Sequence, residues 1–150
     1  MKPTQSILIL LSLFLISNCG DKVREEITDR YENGNKKLLV KYKGEGVDEI
    51  LVERITYSKS GDTLIWENYN SKGVRDGNWI GYVDDSFVKG NYKDGEKNGE
   101  WTSYHENGQM MLEGNTKDGK SMGKWTYYNE DGSIKKVEEY KNGKLIRGDQ

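Results

Sequence analysis

The sequence predicts an all-β chain, an elongated single-layer antiparallel sheet of stacked β-hairpins preceded by a short helical signal peptide. Three observations lead there. First, the segment Gly99-Glu100-Trp101-Thr102-Ser103-Tyr104-His105-Glu106-Asn107-Gly108 recurs as Gly123-Lys124-Trp125-Thr126-Tyr127-Tyr128-Asn129-Glu130-Asp131-Gly132, and self-similarity at such a period marks stacked units. Second, Asn or Asp stands directly before Gly at eight places, from Asn33-Gly34 to Asn142-Gly143, the strongest short hairpin-turn signal because both residues tolerate positive φ. Third, aliphatic and aromatic residues make up only 33% of 150 residues, too few for a large two-layer core. Eighteen glycines against one proline favour turns, and ten tyrosines with four tryptophans are too many aromatics for a disordered chain.

Charged residues amount to 32% of the chain but sum to −2. Mixed charge of this kind forms solvated faces and excludes the basic footprint of a nucleic-acid binder.

Residues 1–18 carry the marks of export. Lys2 precedes an apolar run, Ile7 to Ile16, broken only by Ser12. That length suits a signal peptide and falls short of the roughly 20 residues a membrane span needs. The run ends in Ile16-Ser17-Asn18-Cys19, which resembles the bacterial lipoprotein signal, whose cysteine becomes the lipidated N-terminus. Cys19 is the sole cysteine, so it has no internal disulfide partner and stands where a thiol would take a diacylglyceryl group. Several acyl chains, at about 0.8 kcal/mol per buried methylene, give stable attachment to a membrane. The expected mature domain is 19–150, in the cell envelope, with inner or outer membrane undecided.

Within that domain a turn glycine is followed eight residues later by a strand residue, usually tyrosine: Gly34 with Tyr42, Gly61 with Tyr69, Gly108 with Thr116, Gly132 with Tyr140. Residues of one parity between them, such as Leu38, Val40 and Tyr42, read as return strands. Five hairpins follow, at Val23–Tyr42, Glu49–Tyr69, Asn78–Tyr92, Glu100–Thr116 and Lys124–Tyr140, with Lys144–Arg147 as a closing edge. The tryptophans of the Gly-x-Trp units stand at 79, 101 and 125. The third hairpin is two residues short, which places a tighter turn near Asp84-Asp85.

The pattern Gly-x-Trp-x-x-Tyr-x-x-x-Gly, with Tyr-Lys-Asn-Gly-Lys or Tyr-Lys-Asp-Gly closing a unit, resembles the MORN repeat in its bacterial variant. That variant occurs in many lipoproteins and in proteins known as YwqK-type antitoxins. The resemblance is clearest over 77–144. It implies an elongated sheet of hairpins serving as a recognition or scaffolding surface, with no catalytic residues.

The search for chemistry agrees. His105 is the only histidine and flanks a turn, which speaks against histidine-dependent nucleophilic catalysis. No Cys/His cluster is present for a metal, and Asn129-Glu130-Asp131-Gly132 lacks the alternating ligands of a calcium loop. Glu138 and Glu139 are one carboxylate pair among 25 acidic residues, with no spacing that singles them out. Gly119-Lys120-Ser121-Met122-Gly123 does not match a phosphate loop. No cofactor, small-molecule substrate or catalytic residue is therefore expected. The remaining candidate is an aromatic stripe of Trp79, Trp101, Trp125, Tyr82, Tyr104 and Tyr128, either packing the sheet or receiving a protein or envelope component. Trp101 and Trp125 should lie on one side, about 10 Å apart, with an intervening side chain filling the gap.

The function expected is that of a membrane-anchored, non-catalytic binding or scaffolding module. Two alternatives are an antitoxin-like partner of a neighbouring toxin, suggested by the family resemblance, and a carboxylate-dependent cell-wall enzyme. The enzyme would need an enclosed pocket that a flat sheet does not supply.

Overall fold

The computed structural model describes residues 22–83 and 86–148. The signal peptide, Cys19 and the turn at Asp84-Asp85 lie outside the described residues. Among those described, twelve strands form one open antiparallel sheet. They pair as successive hairpins: β1 (Val23–Arg30) with β2 (Lys36–Lys43), β3 (Ile50–Tyr57) with β4 (Thr63–Tyr69), and β5 (Arg75–Val83) with β6 (Ser86–Lys93). The short β7 (Glu96–Lys97) leads into β8 (Gly99–Tyr104), which pairs with β9 (Met110–Lys117). β10 (Lys120–Tyr128) then pairs with β11 (Ile134–Lys141), and β12 (Lys144–Gly148) closes the edge. Every strand on the main path lies beside its sequence neighbour, and β7 extends the β6 ladder just ahead of β8. The five hairpins and the closing edge agree with the sequence reading. A single 3-10 turn, Gly46–Asp48, joins β2 to β3.

The Asn/Asp-Gly dipeptides, read from sequence as one turn type, divide into two kinds of turn and, at Asp76-Gly77 and Asn98-Gly99, a strand bulge. At Asp94-Gly95, Asp118-Gly119 and Asn142-Gly143 both residues have positive φ, 47° and 88°, 49° and 72°, and 51° and 78°. This is the type I′ geometry, and it joins one hairpin to the next. Inside the hairpins only the glycine is left-handed, as at Gly34, Gly108 and Gly132. There the Gly108 N–H donates to the His105 carbonyl at 2.9 Å and the His105 N–H to the Gln109 carbonyl at 2.8 Å. That is a type I turn closed by a glycine bulge, which keeps the right-handed twist of the flanking strands. The third hairpin has no such loop. Val83 pairs with Ser86, leaving two residues for the connection.

A second kind of bulge explains the Gly-x-Trp signature. Glycines 77, 99 and 123 all have positive φ, at 97°, 102° and 62°. Each lies where the outgoing strand gains two residues on the preceding return strand: Tyr69↔Arg75 and Glu67↔Trp79 bracket Gly77, and Asn115↔Met122 and Glu113↔Thr126 bracket Gly123. On the other side, toward its own return strand, the register runs unbroken from Gly77↔Tyr92 to Val83↔Ser86. The bulge re-aims the tryptophan two residues on.

Neighbouring turns are tied together. His105 donates from Nε2 to the Tyr128 carbonyl at 3.1 Å, as the Tyr31 hydroxyl donates to the Tyr57 carbonyl at 2.8 Å three hairpins earlier. Asn107 Nδ2 donates to the Glu130 carbonyl at 2.8 Å. The lone histidine is thus a link between turns. His105→Ala is expected to cost about 0.5–1.5 kcal/mol. Gly108→Ala meets no steric obstacle, since nothing lies within 4 Å of the added methyl, and so isolates the left-handed φ, worth about 1–2 kcal/mol. Urea midpoints would decide, and an unchanged midpoint for Gly108→Ala would contradict the turn geometry.

Candidate functional site

Among the described residues the sheet has no second layer, so its apolar groups are covered from within. One row crosses it in cross-strand register: Glu67, Trp79, Gly90, Trp101, Gly114, Trp125, Glu138. The ladders pair Glu67 with Trp79, Trp79 with Gly90, Trp101 with Gly114, and Trp125 with Glu138. The glycines are seats for the indoles. A Cβ built on Gly90 would stand 2.3 Å from the Trp101 ring, and one on Gly114 would stand 2.1 Å from the Trp125 ring. Each ring therefore leans onto the preceding hairpin's return strand. Before Trp79 that place belongs to Glu67, and the Trp79 ring turns along its own strand over Gly81, at 2.9 Å from a built Cβ.

This corrects the expected filling of the gap. The tryptophans do share one side, but no side chain fills the gap, because the intervening residue is glycine. Trp79 and Trp101 are in direct contact at 5.7 Å between ring centroids. Tyr92 stands edge-on to both, at 6.5 and 5.3 Å, and Tyr140 does the same for Trp125 at 6.3 Å. The Lys97 ammonium covers Trp101 at 4.1 Å. Trp79 and Trp101 retain only 8% and 5% exposure, so these two rings are packing, whereas Trp125 is only partly covered. Thr116, where a tyrosine was expected, is buried and donates its hydroxyl to the Gly99 carbonyl at 3.2 Å.

Tyr82, Tyr104 and Tyr128 do not join this row. Each lies three residues beyond its tryptophan, and an odd offset along a strand sends the side chain to the other face. There Tyr82, Phe87 and Tyr104 form a ladder with centroids 5.6 and 5.8 Å apart, and the Lys89 ammonium sits over Tyr104. Tyr82 is 51% exposed. Tyr128 donates to Glu113 at 2.6 Å. The six-residue stripe is thus two stripes on opposite faces.

The same opposite face carries a row that changes character midway. Ile27, Leu39, Ile55, Trp66 and Ile80 are successive cross-strand neighbours, and the row continues as Lys89, Thr102, Glu113, Thr126 and Val137. The apolar centre of the sheet therefore lies on one face in its first half and on the other in its second.

Carboxylates end the tryptophan row on both sides. Glu67, 5% exposed, accepts from Arg75 Nε at 2.7 Å and from the Tyr69 hydroxyl at 3.0 Å. Glu138 accepts from Lys136 Nζ at 2.6 Å and from the Tyr140 hydroxyl at 2.8 Å. The Lys136, Tyr140 and Tyr127 donors hold the Glu138 carboxyl well below its ordinary value of 4.5, at about 2, while burial and then Glu138 push the Tyr127 phenol up. No rule of motif reading pointed to Gly90, Gly114, Glu67 or Glu138. A signal existed in the constant interval from each tryptophan, Trp101 to Gly114 and Trp125 to Glu138, shortened by two from Trp79 to Gly90.

Two predictions follow from this packing. Gly114→Ala is expected to lose about 2 kcal/mol or more by overpacking and Trp125→Ala about 3 kcal/mol. The double variant should lose less than the sum, because the new methyl then enters space the indole vacated, and additive urea-derived losses would remove the seat. For Glu138 the folded value lies below the unfolded one, so its contribution is full above about pH 5 and disappears as pH falls from 4.5 toward 2. Glu138→Gln should therefore flatten the fall of the unfolding midpoint across that window, and an acid profile identical to that of the unaltered chain would refute the assignment.

No curated protein matches the chain. The MORN repeat variant family matches residues 97–118 and 123–146. These two stretches cover most of β7 to β12, where the bulge glycine, the seated tryptophan and the type I′ turn recur, and there the chain is similar to MORN-variant repeats.

Proposed function

We propose that this protein is an envelope lipoprotein, held in a membrane by lipid on Cys19, whose repeat sheet is a non-catalytic module for binding or scaffolding. The observation that carries the reading is the open, single-layer sheet. One polar depression on it, lined by Glu100, Glu113, Asn115, Lys124 and Thr126, holds about 150 Å³ and faces solvent, whereas a catalytic carboxyl needs a dry, enclosed setting to shift its proton affinity. MORN-variant repeats support a module of this kind.

The proposed anchor suits the topology. Cys19 precedes β1 by four residues, a reach of at most about 14 Å, and β1 is an edge of the sheet. β12 lies ten strand spacings away, about 48 Å along the sheet. An anchored molecule thus presents both faces and the far edge to a partner.

Cys19→Ser is expected to shift the protein from the detergent phase to the aqueous phase and to abolish the mass added to the N-terminal peptide. Unchanged partitioning and an unchanged peptide mass would refute the anchor. The module is tested by capture from envelope extract with the full chain. An envelope component held in stoichiometric amount is the expected result, and repeated failure to hold any component would overturn it.

A further inference from the structure

The two outer strands of the sheet differ in charge. On β1 the charged groups are engaged: Arg24 pairs with Glu26 and Glu49, Asp29 with Lys37, and Glu25 with Lys41. β12 is exposed along its whole length. Leu145 and Ile146 are 54% and 57% exposed, and neither Lys144 nor Arg147 forms an ion pair among the described residues. The surroundings are basic too. Lys117 pairs across the sheet with Lys120, and Lys141 with Lys144, so two successive junction turns present four lysines at one corner. Residues 120–148 hold seven Lys or Arg against four Asp or Glu, within a chain whose net charge is −2.

Backbone geometry makes the edge usable. Across the two-residue type I′ turn at Asn142-Gly143, the flanking pair Lys141 and Lys144 exchange their backbone hydrogen bonds. The next pair, Tyr140 and Leu145, is then of the alternate kind, with the N–H and C=O of Leu145 directed away from β11, and beyond it the register shifts, Ile146 being the extra residue before Arg147 meets Glu139. Lysine on an edge strand also selects the partner. A second β12 added antiparallel would set Lys144 against Arg147, and like charges directly opposite are unfavourable. An acidic strand has no such conflict.

We propose that the outer edge of β12 is a strand-addition site for an extended acidic segment of a partner protein. Its backbone pairs with Leu145, its carboxylates meet Lys144, Arg147 and the lysine corner, and its apolar side chains cover Leu145 and Ile146. The proposal rests on reading the sheet as a binding module and names where and by what chemistry it binds.

The test uses the full chain in detergent and two fluorescein-labelled peptides, Glu-Val-Glu-Val-Thr-Val-Glu and its counterpart with Lys for each Glu, followed by anisotropy at low salt. The acidic peptide is expected to bind at least tenfold more tightly, to weaken as salt is raised, and to slow hydrogen exchange at the Leu145 amide. Lys144→Glu combined with Arg147→Glu, both on exposed positions, should reverse the preference between peptides. Equal binding of both peptides, protection confined to strands other than β12, or unaltered binding by the double variant would overturn the proposal. So would association of the chain with itself through β12. An envelope component captured equally by the double variant would leave the module reading standing and overturn the β12 site, whereas capture of nothing by either form would remove the module reading itself.

Discussion

An indole lying flat on the backbone of a glycine is the contact on which the second half of this sheet depends. A single layer has no opposing element against which to bury its side chains, and a hairpin alone is at best marginally stable. Setting each tryptophan over a residue without a Cβ lets the ring sink into the sheet, so that Trp101 is almost wholly covered with no second layer above it. Full burial of one such ring removes about 150–250 Å² from water, an upper bound of about 4–6 kcal/mol before the cost of ordering it. Because the seats of Trp101 and Trp125 belong to the preceding hairpin, their stabilisation lies between units rather than within them. That arrangement is characteristic of repeat proteins, in which interfaces between units hold the whole together.

The first half of the sheet solves the same problem differently. It has no Gly-x-Trp unit, and its central apolar row, from Ile27 to Ile80, lies on the opposite face. There, β-branched and leucine side chains cover one another across the strands, and Lys41 joins Glu25 and Glu53 alongside. The change of face falls at β5, where Trp79 and Ile80 are adjacent and point to opposite sides. Trp79 is the transitional ring, seated on Gly81 of its own strand because Glu67 occupies the place a glycine takes further on.

The hairpins were legible because their signals are local. Turn dipeptides, strand parity and tryptophan spacing each need only a few neighbouring residues. The two-residue deficit of the third hairpin could be counted, and Val83 pairs with Ser86 as the count requires. What could not be read was anything that depends on which atoms meet across strands. Gly90 and Gly114 carry no local signal, since nothing near them in sequence shows that another hairpin's ring will occupy the missing Cβ. Tyr104 was placed with Trp101 because both belong to one motif, although an offset of three already put it on the other face. Turn chemistry was half legible: Asn107-Gly108 and Asp118-Gly119 are alike in sequence, and the distinction between them lies in loop length.

The left-handed residues that precede glycine at the junctions, Asp94, Asp118 and Asn142, are separated by 24 residues each time, whereas the tryptophans are not evenly spaced. The junction turn is therefore the natural boundary of the unit, and it has a consequence for how such a chain can change in length. Removing residues 95–118 would rejoin Asp94 to Gly119, restoring the same turn dipeptide, and would bring Trp125 over Gly90 in place of Trp101. Copying the same segment would add one ring and one seat together. Gain or loss of a unit thus leaves strand parity, face and terminal carboxylates as they were, so the sheet can be lengthened or shortened by genetic slippage without a compensating substitution elsewhere.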